Sequence, residues 1–135
     1  MEELAKSSIR LNNKDTTYEN GNNTAMSRAI IDLDAYRHNV QVVRNLVGSH
    51  VHIIAVVKAN AYGHGVIPIA KCAEAWGVNM LAVANIEEGI KLRENGIKIP
   101  ILVLLQPYED ELSAIIDYQL TQLISEADIL KKISE

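Results

Sequence analysis

Five apolar residues, Ile53 to Val57, run directly into Lys58 with no turn residue between them. So continuous an apolar run reads as a strand buried on both faces, the pattern of a parallel sheet. A lysine at its end is costly to bury as an ammonium, and lysine is almost never fully buried without a partner. Binding the amine covalently to a carbonyl compound removes the charge. The other reading is a side chain that snorkels from the strand end into solvent. The residue types alone leave both open. Gly63 and Gly65 let the backbone turn tightly and approach a ligand closely, and Pro68 suits the first turn of the next helix.

Around this run the chain alternates strand and helix. Ala29–Leu33 reads as a strand, and Asp34 as the N-cap of a helix reaching Val47, where Gly48 ends it. The strand His52–Lys58 is followed by a helix from Val66 to Trp76, stopped by Gly77. A strand Met80–Ala84 comes next. Asn85 with Glu88 three residues on has capping-box spacing for a helix Ile86–Asn95. Pro100 opens the strand Ile101–Leu105, Glu109–Tyr118 reads as helix, and a last strand, Leu120–Ile124, leads into a helix opened by Ser125. Strand and helix in turn with short links mean parallel βα units with right-handed crossovers. Polar residues fall at the strand ends, where a (β/α) barrel assembles its site: Lys58, Asn60, Asn85, Gln106 and Ser125. Helix capping accounts for Asn85 and Ser125, and a turn before Pro107 for Gln106. Lys58 has no such account.

Composition narrows the function classes. The 135 residues are 48% hydrophobic and 22% charged, ordinary for a packed core. A formal charge of −4 offers no basic surface for nucleic acid or anionic lipid. The one cysteine, Cys72, cannot make an internal disulfide and reads as a small buried hydrophobe. No apolar stretch has the length to span a membrane, and no signal peptide is visible, so a cytoplasmic location is expected. His38, His50, His52 and His64 lack metal-ligand spacing, and no metal site is expected. Residues 1–27 are polar and without period, and read as a disordered extension. The coded protein could also start at Met26, where the patterned sequence begins.

The string Ala55 to Gly65, AVVKANAYGHG, resembles the cofactor-lysine segment of the bacterial alanine racemases, which use pyridoxal 5′-phosphate. The shorter piece Val57-Lys58-Ala59-Asn60 also resembles the amino-acid decarboxylases of the same barrel type, whereas Ala61-Tyr62-Gly63-His64-Gly65 favours the racemases. Ile31-Asp32-Leu33-Asp34-Ala35 upstream is similar to the family's opening strand. Leu81-Ala82-Val83-Ala84, Leu92-Arg93-Glu94-Asn95-Gly96-Ile97 and Pro100 to Leu104 follow in the family's order. The resemblance covers residues 28–135 and implies the N-terminal part, about four βα units, of a TIM-type (β/α)8 barrel, apparently truncated.

By resemblance, Lys58 holds pyridoxal phosphate and serves as the base that takes the proton from D-alanine. Tyr62 reaches the cofactor phosphate, and Val56 and Leu104 line the cofactor. His64, between two glycines, suits a turn. The implied activity is interconversion of L- and D-alanine for peptidoglycan by a homodimer. The family's second base, a tyrosine, the arginine facing the pyridine nitrogen and most phosphate ligands correspond to sequence beyond Glu135, so the chain is expected to be inactive alone. A racemase for serine or lysine, a decarboxylase, or a non-catalytic remnant that binds pyridoxal phosphate remain alternatives.

Overall fold

The computed structural model describes residues 17–20, 29–125 and 127–134. Strand β1 (Thr17–Asn20) pairs antiparallel with β2 (Ala29–Asp32), with Thr17 opposite Asp32 and Asn20 opposite Ala29. Helix α1 (Leu33–Val47) follows, then β3 (Ile54–Val56), a single turn α2 (Lys58–Tyr62), α3 (Val66–Ala75), β4 (Met80–Val83) and α4 (Ile86–Glu94). A second half adds β5 (Ile101–Val103), a 3-10 turn at Glu109–Glu111, α5 (Leu112–Asp117), β6 (Thr121–Gln122) and α6 (Ala127–Ser134). Strands β3, β4, β5 and β6 form one parallel sheet in sequence order, as alternating βα units require.

Three expectations about the N-terminal part need correction. The segment read as disordered contributes β1; its remaining residues, 1–16 and 21–27, lie outside the described ones. Strand β2 does not join the parallel sheet among the described residues; it pairs with β1 in a separate two-stranded sheet. Antiparallel pairing is slightly the stronger of the two per residue. The N-cap of α1 is Asp32 rather than Asp34: the Asp32 carboxylate accepts the Ala35 N–H at 3.0 Å. Asp34 lies in the first turn and meets Arg37 at 3.6 Å, still a favourable place for a negative charge.

Register shows which face of the sheet is which. Ile54, Met80 and Val56, Ala82, Leu102, Thr121 are matched across neighbouring strands and share one face. Ala55, Leu81, Ile101 and Val103 point the other way, towards the helices. There Val57, Leu81, Val83, Leu92, Ile97, Ile101 and Val103 are fully buried. Ala70 and Ala73 on α3 have no exposed surface, as expected of small residues that let a helix lie close to a sheet. Gly89 does the same on α4, where an added Cβ would stand 3.0 Å from the Leu120 side chain.

The apolar run is therefore buried on one face only. Ile54 is 47% and Val56 43% exposed, because they lie on the face without helices. In a closed barrel that face points to the axis. Two arginines knit the opposite, N-terminal ends of the strands. Arg44 donates to the Gly48, Val51 and Gly77 carbonyls and to Asn79 Oδ1, which also takes the Ile53 N–H. Arg93 donates to the carbonyls of Ile97, Ile99, Tyr118 and Gln119 at 2.8–3.0 Å. Its burial lowers its pKa, and Glu74 works against that.

Cys72 is buried as expected, its Sγ 3.8 Å from the Leu33 carbonyl. Burial, reinforced by Asp34 and opposed by Arg37, pushes the thiol up to about 11. Burial also raises Tyr36, with Cys72 adding to it. Both shifts make the folded state hold its proton longer than the unfolded chain, so the Cys72 contribution is intact below pH 9 and is lost as pH rises through about 11, with Tyr36 acting in the same direction. The urea midpoint should fall between pH 9 and 11, and less steeply in Cys72→Ala; equal slopes in the two proteins would contradict this origin.

Candidate functional site

Lys58 stands where β3 leaves the sheet. The Val57 N–H still donates to the Ala82 carbonyl at 2.8 Å, the last rung from β3 to β4. A parallel ladder would next give the Ala84 N–H to the Val57 carbonyl. That carbonyl instead accepts the Ala61 N–H at 2.9 Å, within the chain's own turn. By alternation Lys58 belongs to the face of Val56 and Ala82, the axial one. Its side chain is half-buried and has no hydrogen bond or ion pair among the described residues.

The turn is left-handed. Ala59, Asn60, Ala61 and Tyr62 all have φ between 51° and 55°. Left-handed backbone costs a residue with a Cβ about 1–2 kcal/mol, and only asparagine among these four visits it readily. Strain of this kind persists only where surroundings over-determine it. The hydrogen bonds that do so are local and numerous. Asn60 accepts the Gly65 N–H on its carbonyl and the Val66 N–H on Oδ1, both at 2.9 Å. Gly63 donates to the Ala59 carbonyl at 3.2 Å, and His64 donates to the Ala61 carbonyl from both its backbone (3.0 Å) and Nδ1 (2.8 Å). Ala61 is buried in the core. His64 is thus a turn residue, as its flanking glycines suggested.

Outside the turn, Glu88 on α4 completes the frame. Its Oε1 accepts the Ala59 N–H at 2.7 Å and its Oε2 the Ala84 N–H at 2.8 Å. Sequence spacing suggested a capping box with Asn85, and only half of one forms. Asn85 Oδ1 accepts the Glu88 N–H at 3.0 Å, while the Glu88 carboxylate goes to the two strand ends. Nothing in the spacing separates these uses. Gln106 and Ser125, read from sequence as turn and cap, bond to each other: Gln106 Oε1 accepts the Ser125 hydroxyl at 2.8 Å and its N–H at 3.2 Å, tying the ends of β5 and β6.

Beside the turn lies a cleft of about 320 Å³, walled by Val56, Val57, Ala61, Tyr62 and His64 on one side and Ile31, Tyr36 and Asn39 on the other. Its size is in the range of small-molecule sites. Of the four residues singled out from sequence, Val56 and Tyr62 meet in this cleft, Tyr62 with 60% of its surface exposed. Lys58 is not among its lining residues, and neither is Leu104. Leu104 stands two residues beyond Leu102, on the axial face shared with Val56.

Residues 31–135 match the family "Alanine racemase, N-terminal domain". The chain belongs to this family. An alanine racemase of Desulforamulus reducens is 42% identical over 106 residues, 78% of this chain and 29% of that protein. One from Anoxybacillus flavithermus is 58% identical over 78 residues, 56% of this chain and 20% of its own length. The solved alanine racemase of Clostridium difficile 630 superposes with a TM-score of 0.73 at 39% identity, over 75% of this chain and 27% of that one. The enzyme from E. faecalis gives 0.74 at 34% identity, over 78% and 28%. The chain therefore spans less than a third of each of these relatives. Its fold is the N-terminal part of the alanine racemase barrel.

The left-handed turn makes a direct prediction. Ala59 is exposed and its φ is 51°, so Ala59→Gly removes a steric cost at the expense of a floppier unfolded chain. The substitution should stabilise the protein by about 0.5–1 kcal/mol in urea unfolding. In a right-handed helix it would destabilise by about as much, and that sign would contradict the geometry.

Proposed function

We propose that residues 28–135 form the N-terminal part of a pyridoxal-phosphate-binding barrel domain, and that the protein carrying them interconverts L- and D-alanine. The single observation that supports this most is Lys58: an amine without an ion-pair partner among the described residues, on the axial face, at the carboxyl end of a barrel strand. The donor set suits the cofactor. A primary amine is the group that captures its aldehyde, and the Tyr62 phenol, standing on the cleft wall, is a hydrogen-bond donor for its phosphate. When bound, pyridoxal phosphate acts as an electron sink for a carbanion at the substrate's α-carbon.

The roles we assign to the chain's own residues are those the family resemblance implies. Lys58 carries the cofactor and, once released from it, accepts at Nζ the α-proton of the D-isomer. The amine must be neutral to do so, and Val56, on the same face of the sheet, is its apolar neighbour there. Tyr62 would donate a hydrogen bond to a phosphate oxygen, and Val56 and Leu104 would lie against the cofactor. Racemisation also needs a second base on the opposite face of the α-carbon. We assign that base, with most of the phosphate contacts and a dimeric partner, to the remainder of a full-length enzyme, so this stretch alone is inactive. The curated and structural relatives named alanine racemase favour alanine over serine or lysine as substrate. A cytoplasmic location goes with the same reading.

Incubation of the chain with pyridoxal phosphate, borohydride reduction and peptide mapping test this. The label should concentrate on Lys58 and vanish from that peptide in Lys58→Ala. Equal labelling of Lys58, Lys71, Lys91 and Lys98 would contradict it.

A further inference from the structure

Glu88 occupies the place that β3 vacates. Continued one rung further, β3 would present the Val57 carbonyl to the Ala84 N–H and Lys58 would stand opposite Ala84. The turn claims that carbonyl for Ala61, which leaves two backbone donors needing acceptors, Ala84 on β4 and Ala59 directly after Lys58. A single carboxylate reaches both, at 2.8 and 2.7 Å. Bonds to a charged acceptor are roughly twice as strong as neutral ones, and two acceptor oxygens on one planar group also fix the separation of their donors. Glu88 is itself held: its helix starts at Asn85, whose side chain accepts the Glu88 N–H at 3.0 Å.

We propose that Glu88 is a positioning residue for Lys58, a substitute rung that fixes the peptide after the lysine and with it the direction in which the amine leaves the sheet. Both oxygens accept from backbone, and no ion pair joins the carboxylate to the amine among the described residues. It orients the lysine without holding its charge. The importance of that orientation rests on the reading of Lys58 as the cofactor-bearing amine, whereas the substitute rung itself does not.

Glu88→Gln keeps the shape of the side chain but presents one acceptor oxygen and one NH2 to two N–H donors, so one bond is lost. Arg93→Lys serves as the comparison: it loosens the N-terminal end of the strands, far from the turn. Pyridoxal phosphate followed by borohydride, sampled over time, gives the rate at which Lys58 is labelled relative to Lys71 in the same molecules. We expect this ratio to fall at least tenfold in Glu88→Gln and to hold within twofold in Arg93→Lys. An unchanged ratio in Glu88→Gln, or an equal fall in both variants, overturns the positioning role.

Amide exchange in the unsubstituted chain decides the rung independently of any variant or cofactor. The Ala59 and Ala84 N–H should exchange at least a hundredfold slower than in an unstructured peptide, and exchange of Ala59 at the unstructured rate overturns the proposal. If Lys58 is not labelled at all while Ala59 is protected, the cofactor reading fails and the substitute rung stands.

Discussion

One carbonyl oxygen, that of Val57, has two possible donors, and the choice between them shapes the whole C-terminal end of the sheet. Given to Ala84, it would extend β3 by another rung and carry Lys58 along an ordinary strand. Given to Ala61, as it is, it closes a left-handed turn and ends the strand at the lysine. The cost is backbone strain at three residues with no local liking for that conformation, Ala59, Ala61 and Tyr62. The return is an amine on the last residue before a sharp, well-tied corner. Glu88, Asn60 and His64 all bond to that corner, and Glu88 also ties it to Ala84 on β4.

The two ends of the sheet are built differently. At the N-terminal end Arg44 and Arg93 gather carbonyls from successive loops, a use of the planar guanidinium that has only structural consequences. At the C-terminal end the bonds come from shorter polar side chains that leave the axial face open. This is the usual division of labour in a (β/α) barrel, stability below and chemistry above. Here the structural half of that division is visible within one parallel sheet of four strands.

Much of this was legible in the sequence, for identifiable reasons. The order of strands and helices followed from periodicity punctuated by Gly48, Gly77 and Gly96, each with φ above 80° in the structure. Lys58 stood out because it ends an apolar run. What sequence could not convey was competition. Alanine favours right-handed helix, so nothing in Ala59-Asn60-Ala61-Tyr62 announces four left-handed residues; only the loss of the β4 partner and the contacts from α4 impose them. Asp32 and Asp34 are both acceptable caps, and the end of β2 decides between them. Glu88 has capping-box spacing, yet its carboxylate finds two orphan donors on strands, a fact set by sheet register rather than by local sequence. Ile54 and Val56 read as buried because apolar runs do not say which face of a sheet is covered.

Backbone scalar and residual dipolar couplings for residues 59–62 of the isotope-labelled chain test the central claim most directly. The account predicts positive φ, near +50°, at all four residues, including the two alanines. A right-handed or extended conformation at Ala59 or Ala61 would return the Val57 carbonyl to β4, and the explanation of how Lys58 is presented would fall with it.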